Sequence, residues 1–203
     1  NALKTGMLFS AAIIDAVAES VRGRNIKVVV DPVMISKGGV SLLEKEALDI
    51  LKTKLLPLAA VCTPNIPEAE EISGIEILDE EGLIEAANFI LGLGVDCVVM
   101  KGGHLKGETA VDKVFLTDGK VMTVETPRID TKDTHGTGCT FSAAITANLA
   151  NGLSLEQAII EAKKFVHLAI SMPLHIGRGH GPTNHFAYKN KNGECKVQVD
   201  ETK

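Results

Sequence analysis

Aromatic residues are scarce in this 203-residue chain, at 3% of the sequence. Hydrophobic residues nevertheless make up 45%, so the core must be built mainly from Val, Ile, Leu and Ala. A chain of this length and composition can bury a sizeable core, and one domain is the default expectation. The sequence contains no internal repeat and no low-complexity segment that would divide it.

An excess of positive charge is also lacking. Lys and Arg number 21 against 26 Asp and Glu, which gives a formal net charge of −5. The basic residues are scattered among acidic ones instead of forming a cluster, so no surface suited to a phosphate backbone or an anionic lipid is expected. We therefore expect neither nucleic acid nor a membrane as a partner.

Long apolar runs and paired cysteines are absent as well. No run reaches bilayer-spanning length, and the first residues show no charged region followed by an apolar segment and a cleavage site. The four cysteines, at positions 62, 97, 139 and 195, are far apart and form no C-x-x-C pair. This spacing argues against a disulfide scaffold or a zinc site and favours a reducing compartment, so we expect a cytoplasmic protein.

Short apolar runs alternate with helical patterns along the chain. The runs at 28–30, 59–63 and 97–100 predict strands that are buried on both faces. The residues between them predict helices, with Ile13 on the buried face of the first and Ile84 on that of the helix over 79–91. Asp118-Gly119 predicts a hairpin. Residues 2–7 resemble the end of a buried strand, and we expect that an N-terminal portion is missing.

This alternation predicts an α/β fold: a doubly wound, mostly parallel sheet with helices on both faces. Ligands of such sheets bind beyond the carboxyl ends of the strands. Asp31, Asn65, Glu68 and Lys101 each lie within a few residues of a predicted strand end. We therefore expect these four side chains to face the same crevice.

Residues 133–144 run from a glycine-containing polar turn directly into a helix of small residues. Gly136 and Gly138 allow a positive φ and a close approach of ligand to backbone, so the amides of 136–139 can converge on one point. The helix that follows adds its unpaired N–H groups and its positive dipole end. The stretch predicts an anion site with Cys139 beside it, and the alternative is a tight loop that caps an ordinary buried helix.

Seven segments of the chain carry a resemblance to a known family. They are KTGML at 4–8, DPVMISK at 31–37, TPNIPEAE at 63–70, KGGH at 101–104, IDT at 129–131, HGTGCT at 135–140 and GHGPTNHF at 179–186. Together they resemble hydroxymethylpyrimidine/phosphomethylpyrimidine kinase, of the ribokinase-like superfamily. The resemblance implies a kinase domain over 1–186, without its N-terminal part, and a polar tail over 187–203. It also implies ATP-dependent phosphorylation of 4-amino-5-hydroxymethyl-2-methylpyrimidine and then of its monophosphate, for thiamine synthesis.

The same resemblance implies individual roles. Cys139 stands where most ribokinase-like enzymes carry an Asp base, in an anion hole with Gly136 and Gly138, and Lys101 would offset the charge of the transferring phosphoryl group. ATP and Mg²⁺ are the implied cofactors. ATP would be held by Lys101, Thr134, His135 and Thr137; Mg²⁺ and its waters by Asp31, Asn65 and Glu68; and the pyrimidine by Met7, Val33 and Cys139.

Other interpretations stay open at this point. Pyridoxal kinase, of the same superfamily, phosphorylates a hydroxymethyl on a related ring, and a noncatalytic pyrimidine- or nucleotide-binding remnant belongs to another class. A thiol hydrolase with Cys139 as its nucleophile is disfavoured, because the sequence shows no His that is an evident general base for this cysteine. His180 and His185 lack a third ligand for a metal and are interpreted as a structural tail. Residues 36–39 are either a flap over the site or a flexible loop, and a homo-oligomer is left open.

Overall fold

Seven strands form one sheet in the part of the chain that the structure, a computed structural model, describes: residues 1–35, 42–44, 46–102, 107–189, 195 and 197–202. The strands lie in chain order across the sheet, and those from β1 to β4 are parallel, whereas the pairs from β4 to β7 are antiparallel. Their bounds are β1 (Ala2–Thr5), β2 (Lys27–Val30), β3 (Val61–Cys62), β4 (Cys97–Lys101), β5 (Thr109–Leu116), β6 (Val121–Pro127) and β7 (Gln198–Thr202).

The helices are placed between and after these strands. They are α1 (Ala11–Val21), α2 (Ala47–Ile50), α3 (Ile66–Ser73), α4 (Glu80–Gly92), α5 (Thr137–Ala150) and α6 (Leu155–Ser171). A π-helical turn (Leu51–Leu55) and a 3₁₀ turn (Leu56–Leu58) continue α2, and a second 3₁₀ turn spans Ala187–Lys189. Within the described residues, no helix is both long enough and apolar enough to cross a membrane.

Two apolar cores cover the two faces of the sheet. The short run in β2 divides between them, because Val28 and Val30 pack into the core with α1 to α4, whereas Val29 packs into the core with α5 and α6. Parallel strands in chain order require crossovers of one hand, which place α1 to α4 on the same face. The helices α5 and α6 lie between β6 and β7 in the chain and cover the other face. The predicted α/β fold with helices on both faces is confirmed.

The apolar stripes of two helices are wider than the surface that the helices bury. Ile13 of α1 is 46% exposed and Ile84 of α4 is 40% exposed, so the prediction that both are buried was wrong. Ile14 and Ile90 of the same helices are completely buried. Each helix is covered by the sheet on one side only, and a residue at the edge of the stripe therefore reaches solvent.

The polar C-terminal residues contain a strand that the sequence did not predict. Residues of β7 pair in antiparallel register with β6 at the edge of the sheet. Lys120 links this edge to α6, since its Nζ lies 2.9 Å from Glu156 Oε1 and 3.0 Å from Glu201 Oε2. Only one face of an edge strand needs to be apolar, and charged residues are common there. The composition of β7 therefore lacks the alternation that predicts a strand.

An ion pair between α6 and β5 is almost completely buried. Lys163 Nζ lies 2.6 Å from Asp112 Oδ2, and the two side chains are 7% and 8% exposed. Asp112 Oδ1 accepts a hydrogen bond from the Gly102 amide at 3.0 Å. The pair therefore fixes α6 to the sheet and to the residue that follows β4.

We expect Lys163→Met to lower the free energy of unfolding by about 3–5 kcal/mol, because Asp112 then stays buried without its partner. Lys164→Met is the matched control, since Lys164 pairs with Glu161 at the surface at 2.6 Å and such pairs contribute about 0–1 kcal/mol. Urea denaturation measures both variants. Equal losses of stability would contradict the role given to the buried pair.

Candidate active site

Three of the predicted site residues form an ion cluster where the parallel strands end. Lys101 is the last residue of β4, and its Nζ lies 2.8 Å from Asp31 Oδ1 and 3.7 Å from Glu68 Oε2. Asp31 follows β2, and Glu68 lies in the first turn of α3 after β3. The side chains of Asp31 and Glu68 are 1% and 4% exposed, and that of Lys101 is 15% exposed. We call Asp31, Glu68 and Lys101 the Lys101 cluster.

Hydroxyl groups from two other elements satisfy the buried Asp31 carboxylate. Thr63 Oγ1 donates to Oδ1 at 3.2 Å, and Ser142 Oγ donates to Oδ2 at 3.1 Å. A buried carboxylate is tolerated only when it is paired and hydrogen-bonded, and Asp31 meets both conditions. Because Ser142 belongs to α5, this contact also fixes α5 against the end of β2.

A capping box fixes Glu68 at the start of α3. Asn65 Oδ1 accepts from the Glu68 amide at 2.8 Å, and Glu68 Oε2 accepts from the Asn65 amide at 2.8 Å. This reciprocal pair satisfies two helix N–H groups and aims the carboxylate of Glu68 at Lys101. Asn65 is thus the residue that positions Glu68 in the structure, and its predicted part in holding Mg²⁺ stays a prediction.

Burial and charge act in opposite directions on the Lys101 cluster. Burial raises the pKa of Glu68, against the opposing charge of Lys101 and the hydrogen bond from Asn65. For Lys101, burial acts to lower the pKa, but the charges of Asp31 and Glu68 outweigh it and the pKa is raised. Lys101 is therefore charged at neutral pH. Cys62 lies beneath the cluster, and burial raises the pKa of its thiol far above the ordinary value, so it stays neutral.

Of the two glycines around the start of α5, only Gly136 has a positive φ, whereas Gly138 lies inside the helix. Gly136 is the N-cap of α5 with φ +83° and ψ +5°, a left-handed conformation that favours glycine. No side chain in the described part of the chain caps α5, so the amides of its first turn lack a side-chain acceptor. The turn closes by a hydrogen bond from Thr137 Oγ1 to the Thr134 carbonyl at 2.8 Å.

The ammonium of Lys101 lies beside this turn. A Cβ on Gly138 would be 3.5 Å from Lys101 Nζ, so the side chain of Lys101 and the start of α5 face the same space. Cys139 follows directly and is exposed. A cation and a set of helix N-terminal amides on one space are suited to a phosphate group.

Met7 and Val33, the two residues predicted to line the pyrimidine pocket together with Cys139, have different surroundings. Met7 is 56% exposed. Val33 lines a mostly apolar cavity together with Thr5, Leu8 and Asp31. The cavity adjoins the Lys101 cluster through Asp31, and the roles of Met7 and Val33 stay predictions.

A direct magnesium cage is not formed by the described residues. They contain no group of three or more His, Cys, Asp or Glu side chains that could hold a metal ion. Asp31 and Glu68 both face Lys101 instead. Mg²⁺ commonly keeps several waters and takes one or two carboxylates, so the cluster fits water-mediated better than direct binding. Residues 36–41, 103 and 104, which include the predicted flap and part of the KGGH segment, lie outside the described residues.

The chain is similar in sequence to a known protein family over most of its length. The sequence profile described as phosphomethylpyrimidine kinase matches residues 1–184. The chain belongs to the phosphomethylpyrimidine kinase family. The resemblance noted from the seven sequence segments is thereby confirmed.

Individual members of the family cover most of the chain. The hydroxymethylpyrimidine/phosphomethylpyrimidine kinase of Haemophilus influenzae is 50% identical over 189 residues, which are 91% of this chain and 70% of that protein. The thiamine biosynthesis bifunctional protein ThiED of Geobacter sulfurreducens is 49% identical over 188 residues, which are 92% of this chain but 38% of that longer protein. Both names agree with the activity that the sequence resemblance implied.

A solved structure confirms the ribokinase-like fold. The pyridoxal kinase from Staphylococcus aureus, in complex with AMP-PCP and pyridoxal, superposes with a TM-score of 0.89 at 36% identity. The match covers 99% of this chain and 72% of that chain. A phosphomethylpyrimidine kinase family member thus shares its fold with an enzyme that binds an ATP analogue and a hydroxymethyl-bearing ring.

Sequence reasoning gave no role to the residues that hold Asp31. Ser142 lies three residues after Cys139 in the same helix, and its signal was a polar residue inside a helix of small residues. Thr63 entered only as part of the TPNIPEAE segment, and the structure makes Asn65 the N-cap of α3. Both residues lie far from Asp31 along the chain, and nothing local marks them as its partners.

The GHGPTNHF segment packs against the turn before α5. The His135 amide donates to the Gly181 carbonyl at 3.0 Å, and the Thr183 amide donates to the His135 carbonyl at 3.2 Å. Gly181 approaches Asp133 closely, since a Cβ at position 181 would lie 2.0 Å from Asp133 Oδ1. Asp133 is 2% exposed and has little room to move aside.

We expect Gly181→Ala to lower the free energy of unfolding by about 1–3 kcal/mol, as overpacking of a filled interior does. Gly179→Ala is the control, because a Cβ at position 179 meets nothing within 4 Å. Thermal unfolding of the two variants measures the difference. If Gly181→Ala is as stable as the control, the tail does not pack against Asp133 in this way.

Proposed function

We propose that the protein is an ATP-dependent kinase that phosphorylates the hydroxymethyl of 4-amino-5-hydroxymethyl-2-methylpyrimidine and then the resulting monophosphate. The single observation that carries the proposal is the position of Lys101, whose ammonium lies beside Gly138 in the first turn of α5. Family membership supplies the reaction class. The names of the relatives supply the substrate.

In this proposal the start of α5 and Lys101 hold the transferring phosphoryl group. Phosphoryl transfer depends on positioning and charge stabilisation far more than on covalent chemistry. The amides of Gly136, Gly138 and Cys139 would donate to the phosphoryl oxygens, since the Thr137 amide already donates to the Thr134 carbonyl at 3.3 Å. Lys101 would offset the charge of those oxygens. Thr134, His135 and Thr137 shape the turn that presents these amides. ATP is the phosphoryl donor.

Mg²⁺ belongs to the proposal and neutralises phosphate charge when it is bound. Asp31 and Glu68 together carry two negative charges when ionised, against one positive charge on Lys101. The cluster therefore favours a further cation at the same edge of the sheet. Asp31 and Glu68, with Asn65 behind them, would hold the waters of that ion.

Cys139 is the proposed general base. Its thiolate would take the proton of the substrate hydroxyl, and the hydroxyl oxygen would form a bond to the γ-phosphorus while the bond to the ADP oxygen breaks. Cys139 is exposed at the anion turn, so a substrate can reach it. All four cysteines are unpaired, which suits a cytoplasmic location where thiols stay reduced.

Pyridoxal is the second candidate substrate. It is favoured by the superposition on the Staphylococcus aureus pyridoxal kinase, which was solved with pyridoxal bound. The hydroxymethyl of either ring requires the same base and the same phosphate site. The two candidates are therefore distinguished by the ring pocket alone.

We expect the chain to transfer phosphate from ATP to the hydroxymethylpyrimidine with a higher kcat/KM than to pyridoxal. Coupled measurement of ADP release with each ring gives the ratio. A higher kcat/KM for pyridoxal would assign the second function instead. Binding of AMP-PCP without turnover of either ring, compared with the complete gene product, would mark this chain as a noncatalytic binding remnant.

We expect Lys101→Ala and Glu68→Gln to weaken the use of ATP and Mg²⁺ more than the binding of the pyrimidine, because both residues face the phosphate site. Lys54→Ala is the control, since Lys54 pairs at the surface with Asp15, which is not part of the Lys101 cluster. Steady-state kinetics at varied ATP, Mg²⁺ and pyrimidine separate the three effects. Unchanged ATP and Mg²⁺ dependence in both variants would remove these assignments.

We expect Cys139→Ser to lower turnover by about 10²–10⁴-fold, the usual cost of losing a general base, because a hydroxyl stays protonated near neutral pH. Cys139→Asp supplies the base that other superfamily members use and should recover part of the rate with an altered pH profile. Cys195→Ser is the control for replacing an accessible thiol. Wild-type turnover of Cys139→Ser at saturating substrates would show that Cys139 is not the base.

A further inference from the structure

The GHGPTNHF segment has no part in the proposed chemistry, although its residues meet the catalytic turn. We infer that His185 is a positioning residue: it holds the Thr140 side chain and thereby fixes the first turn of α5, where Gly138 and Cys139 act. The inference rests on the proposed kinase function, and it assigns to the tail a role beyond that of a structural end.

Three polar groups meet at this point. His185 Nε2 lies 2.9 Å from Thr140 Oγ1 and 3.2 Å from Thr183 Oγ1, and the two hydroxyl oxygens are 3.3 Å apart. Thr140 and Thr183 are 8% and 5% exposed. His185 itself is exposed, so the two hydroxyl groups, and not the imidazole, are shielded from water at this contact. Thr140 follows Cys139 directly, so the contact acts on the turn that carries the base.

The imidazole of His185 is held from the side of α6. Its ring stacks on Phe165 with centroids 6.4 Å apart. The preceding residue, Asn184, is fixed to the end of α6, because its amide donates to the Ala169 carbonyl at 2.9 Å and its Nδ2 donates to the Met172 carbonyl at 2.9 Å. His185 therefore connects α5 to a segment that is itself fixed to the end of α6.

The turn is held at both of its ends by the same segment. Gly181 and Thr183 hydrogen-bond the backbone of His135 before the turn, and His185 holds the side chain of Thr140 after it. A set of amides stabilises a developing charge only when it is fixed before the reaction. The geometry between residues 135 and 140 thus depends on contacts from 181–185.

A purely structural role of His185, in which it only anchors the GHGPTNHF segment, would use the same hydrogen bonds. The test must therefore separate anchoring from positioning. A residue that only anchors the segment affects the stability of the fold alone. A positioning residue changes kcat at unchanged fold, and it changes the surroundings of Cys139 even when no substrate is present.

The experiment compares His185→Ala, His185→Gln and the control His180→Ala in the full 203-residue chain. His180 lies in the same segment, and its Nδ1 faces the Lys132 carbonyl at 3.3 Å instead of Thr140. Measured are kcat, the KM values for ATP and the pyrimidine, the melting temperature, and the rate of Cys139 alkylation by iodoacetamide in a Cys195→Ser background. Cys62 and Cys97 are buried and do not compete.

We expect His185→Ala to lower kcat by up to about 100-fold, as a misplacement of about 1 Å can do, while the KM for the pyrimidine changes little. The alkylation rate of Cys139 should also change. His185→Gln keeps a polar nitrogen or oxygen within reach of Thr140 and should recover part of both. His180→Ala should match the parent chain.

Parental kcat and parental alkylation rate in His185→Ala would overturn the inference. So would a loss of rate that only follows a lower melting temperature and that His185→Gln does not recover. If His185→Ala does not fold, Thr183→Val removes one hydroxyl of the same group, and its rates decide. A parent chain without turnover would instead refute the proposed function, while the alkylation rate would still test the inference.

Discussion

A lysine buried against two carboxylates at the end of the parallel strands is the constraint on which the rest of the site depends. Removing these charges from water costs several kcal/mol per ion, so each needs a partner of good geometry. The partners of Asp31 are Lys101, Thr63 and Ser142. They belong to β4, to the end of β3 and to α5. Satisfying one carboxylate therefore fixes three elements relative to one another.

The same requirement accounts for the arrangement of the proposed phosphate site. Ser142 holds α5 against Asp31, and Lys101 is drawn to the same carboxylate, so the ammonium and the start of α5 meet beside Gly138. The negative charge of the cluster is also not fully compensated. Burial raises the pKa of Glu68, and the ionised form of this side chain is therefore costly. A further cation would relieve that cost and would link the proposed use of Mg²⁺ to the nucleotide. Stability and the proposed function thus make opposing demands on Glu68.

The parts of the fold that follow from local sequence were predictable. The apolar run of β2 and the glycine turn before α5 each contain their own signal within a few residues. The hydroxyl partners of Asp31 were not predictable, because Thr63 and Ser142 lie 32 and 111 residues from it and nothing local marks them. The exposure of Ile13 depends on which side of α1 the sheet covers. The formation of β7 depends on the sheet edge that β6 provides, which local sequence does not reveal. The sequence indicates only a structural tail at His185, because its contact with Thr140 joins residues that are 45 positions apart.

The proposed function requires that the start of α5 and Lys101 bind phosphate together. A crystal structure of the chain with AMP-PCP and Mg²⁺ tests this most directly. We expect the terminal phosphate within about 3 Å of the amides of Gly136, Gly138 and Cys139 and of Lys101 Nζ, the distance of a charge-assisted hydrogen bond. Phosphates bound elsewhere, with Lys101 still paired only to Asp31 and Glu68, would contradict it.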